Sequence, residues 1–215
     1  MNSPRALIFD MDDLLVRSAP IWKSAEENLL RSIGRPWTPE LAARYKGMNA
    51  LDVARVIHET YRPPQSLTDC QRIMRDALTN GFNGHAQPMP GAVELVQRLG
   101  GHVPMAVASG SPFTAIDYCL NTLGIRPHFN VVLSSESVPR GKPHPDVFLA
   151  TAKAMNAQAN DCLVFEDSLI GVRAAKAAGI RCFSVPSGHQ AEITALATRT
   201  FPSLADITLA DVFSG

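Results

Sequence analysis

Short, continuously apolar runs recur along this chain with helix-spaced segments between them, and that alternation restricts the fold more than any other feature. Residues 6–9, 104–108, 131–133, 162–165 and 182–185 read as buried strands. Each is too short for a helix and is bounded by polar or turn residues. Residues 91–99, 113–123, 145–155 and 168–178 carry helical spacing, and the last segment stops at Gly179, where glycine supplies a left-handed terminus. Strand, helix and strand in succession make right-handed crossovers between parallel neighbours. The expected fold class is therefore α/β, a Rossmann-like parallel sheet core flanked by helices.

Residues 15–84 break the alternation. Only helices are expected there, over 21–32, 39–45, 50–61 and 67–80. Thr38-Pro39 places an N-cap hydroxyl before a proline at the first helical position, and Ser66 followed by Asp69 has the spacing of a capping box. The expected division is an α/β core from 1–14 and 85–215, with an all-helical unit from 15–84 inserted after the first strand. At 215 residues and 46% hydrophobic content, the chain is long enough for such a core with a smaller companion.

Charge narrows the partners. Lys+Arg and Asp+Glu both number 20, so no basic excess exists to neutralise a nucleic-acid backbone. A small molecule is the expected partner, with no nucleic acid and no membrane. The start lacks a secretory signal, no apolar stretch reaches membrane-spanning length, and a cytoplasmic monomer is expected. Cys70, Cys119, Cys162 and Cys182 form no CxxC pair and are expected as buried, reduced thiols.

The expected central strands end in polar, reactive residues: Asp10-Met11-Asp12-Asp13, Ser109-Gly110-Ser111 and Glu166-Asp167-Ser168, with Lys142 ahead of a helix in Gly141-Lys142-Pro143-His144-Pro145. Ligands of open parallel sheets bind beyond the carboxyl ends of the strands, so these groups should converge. Carboxylates gathered in this way repel one another unless a cation sits among them. Magnesium suits oxygen ligands and is commonly held by a few carboxylates together with substrate phosphate. Taken singly, each residue has a plainer role. Asp10 or Asp167 could cap a helix, Ser109 and Ser111 could serve a turn, and Lys142 or His144 could lie in solvent.

Four segments together resemble the haloacid dehalogenase superfamily, in particular its phosphatases and mutases related to beta-phosphoglucomutase. They are Phe9-Asp10-Met11-Asp12, Ala108-Ser109-Gly110-Ser111, Gly141-Lys142-Pro143-His144-Pro145, and Phe165-Glu166-Asp167-Ser168 followed by Gly171, in the family's order and spacing. The resemblance implies that the helical insertion is a cap domain. It also implies that Asp10 is the nucleophile, forming an aspartyl-phosphate, and that Asp12 is the proton donor and acceptor. Magnesium would be held by Asp10, Asp167, Glu166 and the backbone carbonyl of Asp12. Ser109, Gly110 and Lys142 would bind the phosphoryl oxygens.

Two positions depart from the family pattern. Asp13 stands where glycine is usual, a place that favours a left-handed backbone. Arg17-Ser18 stands where Asp-Ser is common, and Arg17 is a candidate for the substrate's anionic group or for a solvated hinge residue. Beta-phosphoglucomutases carry a histidine where Trp22 stands here, and an arginine beyond the cap's Lys-Gly pair where this chain runs Lys46-Gly47-Met48-Asn49-Ala50. Both differences favour a phosphatase over a mutase. Trp22 is expected to stack on a sugar, with Lys46 and Asn49 as further substrate contacts, and the expected substrate is a small phosphorylated sugar or sugar alcohol. The alternatives are a phosphosugar mutase, a dehalogenase (which Asp12 and Glu166-Asp167 oppose) and a non-catalytic regulatory member of the fold.

Overall fold

The computed structural model describes residues 3–214. Six parallel strands form one sheet: β1 (Ala6–Phe9), β2 (Met105–Ser109), β3 (Val131–Ser134), β4 (Cys162–Glu166), β5 (Arg181–Ser184) and β6 (Arg199–Thr200). Their order is β3-β2-β1-β4-β5-β6. The chain winds outward from β1 through β2 and β3, then crosses back to β4, so the strand order reverses between β1 and β4. That reversal opens a crevice at the carboxyl edge where ligands bind.

Both faces of the central strands are covered, which is why their sequences are continuously apolar rather than alternating. Leu7, Phe9, Leu163 and Phe165 face one core, and Ala6, Ile8, Cys162 and Val164 face the other. Phe9 stacks on Phe165 with ring centroids 4.5 Å apart. The first core is shared with α5 (Ala92–Leu99) and α6 (Phe113–Thr122), and the second with α7 (Asp146–Ala154) and α8 (Leu169–Ala177). Gly179 adopts a φ of 70° beyond α8, the left-handed stop expected of it. One expectation needs correction. β3 is an edge strand, and three of its four residues are only half-buried. The two-residue β6 and the short α9 (Gln190–Leu196) and α10 (Leu209–Phe213) were not anticipated.

Between β1 and α5 the chain forms α1 (Ala19–Ser32), α2 (Pro39–Ala43), α3 (Ala50–Tyr61) and α4 (Leu67–Phe82). α2 stops two residues earlier than its pattern suggests, and α4 runs two residues further. Thr38 and Ser66 cap α2 and α4 by accepting from the Leu41 and Asp69 amides. The Ser66 hydroxyl also donates to the Asp69 carboxylate at 2.7 Å. Leu29, Leu30, Ile57 and Met74 of these helices extend the first hydrophobic core without a break. The chain's two passages between sheet and helices lie side by side: Arg17 N–H donates to the Gln87 carbonyl at 2.9 Å, and Met89 N–H to the Leu15 carbonyl at 3.0 Å. All four cysteines are buried and free. No described helix is long and apolar enough to cross a membrane.

Candidate active site

Parallel pairing of β1 with β4 aligns Phe9 with Phe165, so the next residues on each strand, Asp10 and Glu166, emerge together at the carboxyl edge. The Asp10 amide is anchored on the Phe165 carbonyl at 3.0 Å. Lys142, arriving from the loop before α7, reaches between them. Its Nζ donates to Asp10 Oδ1 at 2.6 Å, Glu166 Oε1 at 2.5 Å and the Ala108 carbonyl at 3.3 Å. Burial alone would lower the lysine's proton affinity, but the charges of Asp10 and Glu166 outweigh it and hold the ammonium protonated well above its usual range.

Glu166 is held on both carboxylate oxygens, Oε1 by Lys142 and Oε2 by the two residues that follow it. Its Oε2 accepts from the Asp167 amide, the Ser168 amide and the Ser168 hydroxyl, all at 3.0 Å. The carboxylate lies beneath the start of α8 in space that any Cβ at Gly171 would occupy, so glycine is required there. Asp167, the next residue, is fixed by the Ser187 hydroxyl at 2.5 Å.

Asp10, Glu166 and Asp167 are all buried, and each offers an oxygen within 4.8 Å of the others. One ammonium faces these three carboxylates. Burial, with the neighbouring acids, pushes the pKa of Asp10 and Asp167 well above the ordinary carboxylate value; for Asp10, Lys142 opposes the shift only in part. The all-oxygen donor set and the uncompensated negative charge fit magnesium. The Asp12 carbonyl accepts no hydrogen bond from the described residues and is available as a further ligand.

Asp12 sits in a different environment, with neutral donors and no cation. Its carboxylate accepts from Ser109 Oγ at 2.7 Å, Ser111 Oγ at 3.0 and 3.1 Å, and the indole Nε1 of Trp22 at 2.8 Å. Enclosure raises its pKa, and these hydrogen bonds restrain the rise. The pairing of Asp10 with Lys142, and of Asp12 with hydroxyls and an indole, is what distinguishes two acids only two residues apart. Around Asp10 the backbone amides of Met11, Asp12 and Gly110 donate to no acceptor among the described residues, leaving three N–H groups for an anion.

Asp13 has the left-handed backbone expected of this position, with φ 55°. Its carboxylate compensates by accepting from the Ser18 and Ala19 amides at 3.0 and 2.9 Å, which caps α1. A cavity of about 400 Å³ opens from Asp10, Asp12, Lys142 and Asp167 toward α1 and α2. Gly110, Trp22 and Lys46 line it, with exposed Lys46 donating to the Ser187 carbonyl at 3.3 Å.

Several expected residues take other positions. Ser109 is buried behind Asp12 and does not line the cavity. Asn49 is buried as the N-cap of α3, its amide bound to Asp52, and does not reach the wall. Arg17 is exposed and away from the cavity, and His144 is exposed. Trp22 presents its N–H to Asp12, a role that stacking alone does not describe. Ser187 and Glu26 carry parts of the site that no sequence pattern marks, and Ser111, expected only as part of its strand end, binds Asp12. For Ser111 a signal was present: a second hydroxyl two residues after Ser109, at the same strand end.

Residues 4–179 match the family of haloacid dehalogenase-like hydrolases. The chain is 34% identical over 209 residues to a probable pseudouridine-5'-phosphatase of Drosophila melanogaster, covering 93% of this chain and 89% of that protein. It is 32% identical over 200 residues to hexitol phosphatase B of Escherichia coli K12, with 87% of each covered. Its fold is also that of CbbY from Rhodobacter sphaeroides in complex with phosphate, with a TM-score of 0.83, 23% identity, and 97% and 99% of the two chains covered. With the family match spanning most of the chain and the relatives aligned nearly end to end, this protein belongs to the haloacid dehalogenase-like hydrolases, and it is a phosphatase among them.

Proposed function

We propose that this protein hydrolyses a small phosphorylated sugar or sugar derivative through an aspartyl-phosphate on Asp10, with magnesium as cofactor. The observation that carries the reading is Asp10 itself: a buried carboxylate paired with Lys142, beside three unpaired amides and at the floor of a cavity. An Asp10 oxygen attacks phosphorus, the bond from phosphorus to the ester oxygen breaks, and Asp12 gives that oxygen its proton. Water then attacks phosphorus, Asp12 takes a proton from it, and the bond to Asp10 breaks. The Met11, Asp12 and Gly110 amides receive the phosphoryl oxygens, where charge develops. Magnesium, held by Asp10, Asp167, Glu166 and the Asp12 carbonyl, would offset the negative charge shared by carboxylates and phosphoryl group. Residues 15–84 act as the cap over the leaving group. The relatives' names favour sugar-based phosphate esters, but pseudouridine and hexitols differ in what the sugar carries.

Metal removal tests the cofactor. Phosphate release from a panel of sugar phosphates is expected to fall to background in chelator and to return with magnesium; full activity in chelator would overturn this reading. A thermal readout accompanies it. The raised pKa values of Asp10 and Asp167 mean that protonation supports the folded state. That support is complete below the unfolded value near 4 and is lost as pH rises through the higher folded values. Magnesium displaces those protons, so its rise in melting temperature should be larger at pH 8 than at pH 5.

Trp22→Phe tests the proton donor. It keeps the aromatic body and removes the indole N–H, one of the bonds that favour the charged form of Asp12. Asp12 should then keep its proton to higher pH, and the alkaline limb of the kcat/KM profile should move upward. The rate loss should be a fraction of the roughly 10²–10⁴-fold that general acid–base catalysis contributes. A slower enzyme with an unmoved limb would reduce Trp22 to packing.

A further inference from the structure

We propose that the part of the cavity beyond Asp12 holds a flat heteroaromatic ring carried by the substrate's sugar, with Trp22 and Trp37 as stacking surfaces and Glu26 as acceptor for a ring N–H. The inference rests on the phosphatase reading for the position of the phosphate, and it names the class of alcohol released: a nucleoside-type pentose whose base is about the size of a pyrimidine.

The cavity's volume of about 400 Å³ exceeds what the phosphate end requires, and lies within the roughly 300–1,000 Å³ of small-molecule sites. The apolar part of its wall is formed by Trp22, Trp37, Tyr45, Met48 and Pro39, with Lys23 and Lys46 also on the lining. Lys23 Nζ lies 4.7 Å from the Trp37 ring centroid and leaves the ring's other face for a ligand. A polyol set against the aromatic side chains would leave those hydroxyls that do not reach Ser18, Lys23, Glu26 or Lys46 without partners after losing water, which is costly. A flat ring, by contrast, gains from stacking on indole faces.

Glu26 adds an acceptor to this wall. Glu26 is 7% exposed, and burial raises its pKa. Both of its protein donors, Trp37 Nε1 at 2.6 Å and Tyr45 OH at 3.3 Å, fall on Oε2. Oε1 receives no hydrogen bond from the described residues, and the residue lines the cavity. A carboxylate oxygen left open between aromatic walls calls for a donor lying in the plane of a flat ligand, which a ring N–H supplies. Phosphate site, aromatic walls and a second acceptor thus line one cavity, the three features that phosphate, pentose and base of a nucleoside 5'-monophosphate would need.

The test compares uridine 5'-monophosphate with ribose 5-phosphate, which share the phosphorylated pentose and differ in the ring. With full-length protein and magnesium, kcat/KM should favour the nucleotide by about 10- to 100-fold, the usual worth of base stacking on an aromatic side chain. Within Trp37→Ala, and within Glu26→Gln, which keeps the side chain's shape, that ratio should fall toward one. Because each ratio is taken within one protein, a general loss of activity cancels. A second arm needs no turnover: the chain has two tryptophans, Trp22 and Trp37, both on the cavity wall. In Asp10→Asn protein, uridine 5'-monophosphate should change their fluorescence, and ribose 5-phosphate should not. Equal turnover of the two esters, or faster turnover of a hexitol phosphate, with no fluorescence change from the nucleotide, would overturn the inference. If no ester is hydrolysed, the phosphatase reading fails, and the fluorescence arm alone decides for or against the ring site.

Discussion

Asp10→Asn is expected to abolish magnesium-dependent phosphate release, by at least about 10⁴-fold, the scale seen when a covalent nucleophile is removed. The substitution is nearly isosteric. The asparagine carbonyl can still accept from Lys142 Nζ, and the strand end still pairs with Phe165, so the fold has no reason to change. What disappears is the charged oxygen that attacks phosphorus. The same change removes one of three carboxylates crowded around one ammonium. In the absence of magnesium the melting temperature should therefore hold or rise, an uncommon result for a substitution at a fully enclosed position. Acid-quenching the reaction with a radiolabelled ester should leave phosphate on wild-type protein and none on the variant. Residual turnover above about 1% of wild type, far outside the loss expected of a nucleophile, would sink the aspartyl-phosphate route.

The parts of this site legible in the sequence are those set by the sheet. A parallel α/β pattern forces the strand ends to one edge, so Asp10, Ser109, Lys142 and Glu166-Asp167 can be gathered from the alternation of strands and helices alone. The bounds of α3 could be read to the residue because Asn49 and Arg62 end it sharply, by a side-chain cap and a left-handed turn. That same capping preference explains the miss at Asn49. Its position after Lys46-Gly47 suggested substrate, whereas asparagine three residues before Asp52 satisfies the helix start instead. Glu26 could not be found in sequence, because its meaning lies in Trp37 and Tyr45, which arrive from outside α1. The half-buried state of β3 is not legible because an apolar run of three carries no information on whether another strand pairs along its outer edge. Asp13, by contrast, read as a departure from the family and proved coherent: it keeps the left-handed turn and uses the carboxylate that glycine lacks to cap the first helix of the insertion.

Lys142→Met should be the most destabilising single change at this edge. Lys142 is 4% exposed, and its ammonium is held by Asp10, Glu166 and the Ala108 carbonyl, over the face of Phe148 at 4.9 Å. Methionine fills much of the same volume, so the loss is chiefly electrostatic. Removing one partner of a buried ion pair costs about 3–5 kcal/mol, which corresponds to roughly 6–20 °C in melting temperature for a chain of this size. Three buried carboxylates would then face one another without a counter-charge, and Asp10 and Asp167 relieve the repulsion by taking up protons. The folded pKa values of Asp10 and Asp167 already lie above the unfolded ones, and losing the cation raises them further. The destabilisation should accordingly be small near pH 5, where the folded state holds those protons, and should grow toward pH 8 as they are lost. Magnesium should recover part of the melting temperature at pH 8, since a dication among the same oxygens supplies the missing charge. Activity should remain low by about 10²–10³-fold even with the metal, the usual loss when a charge stabiliser is removed from the transition state. A Lys142→Met protein that melts at the wild-type temperature at pH 8 without magnesium would mean that the carboxylates are not charged together, and the case for a cation site at this edge would fall with it.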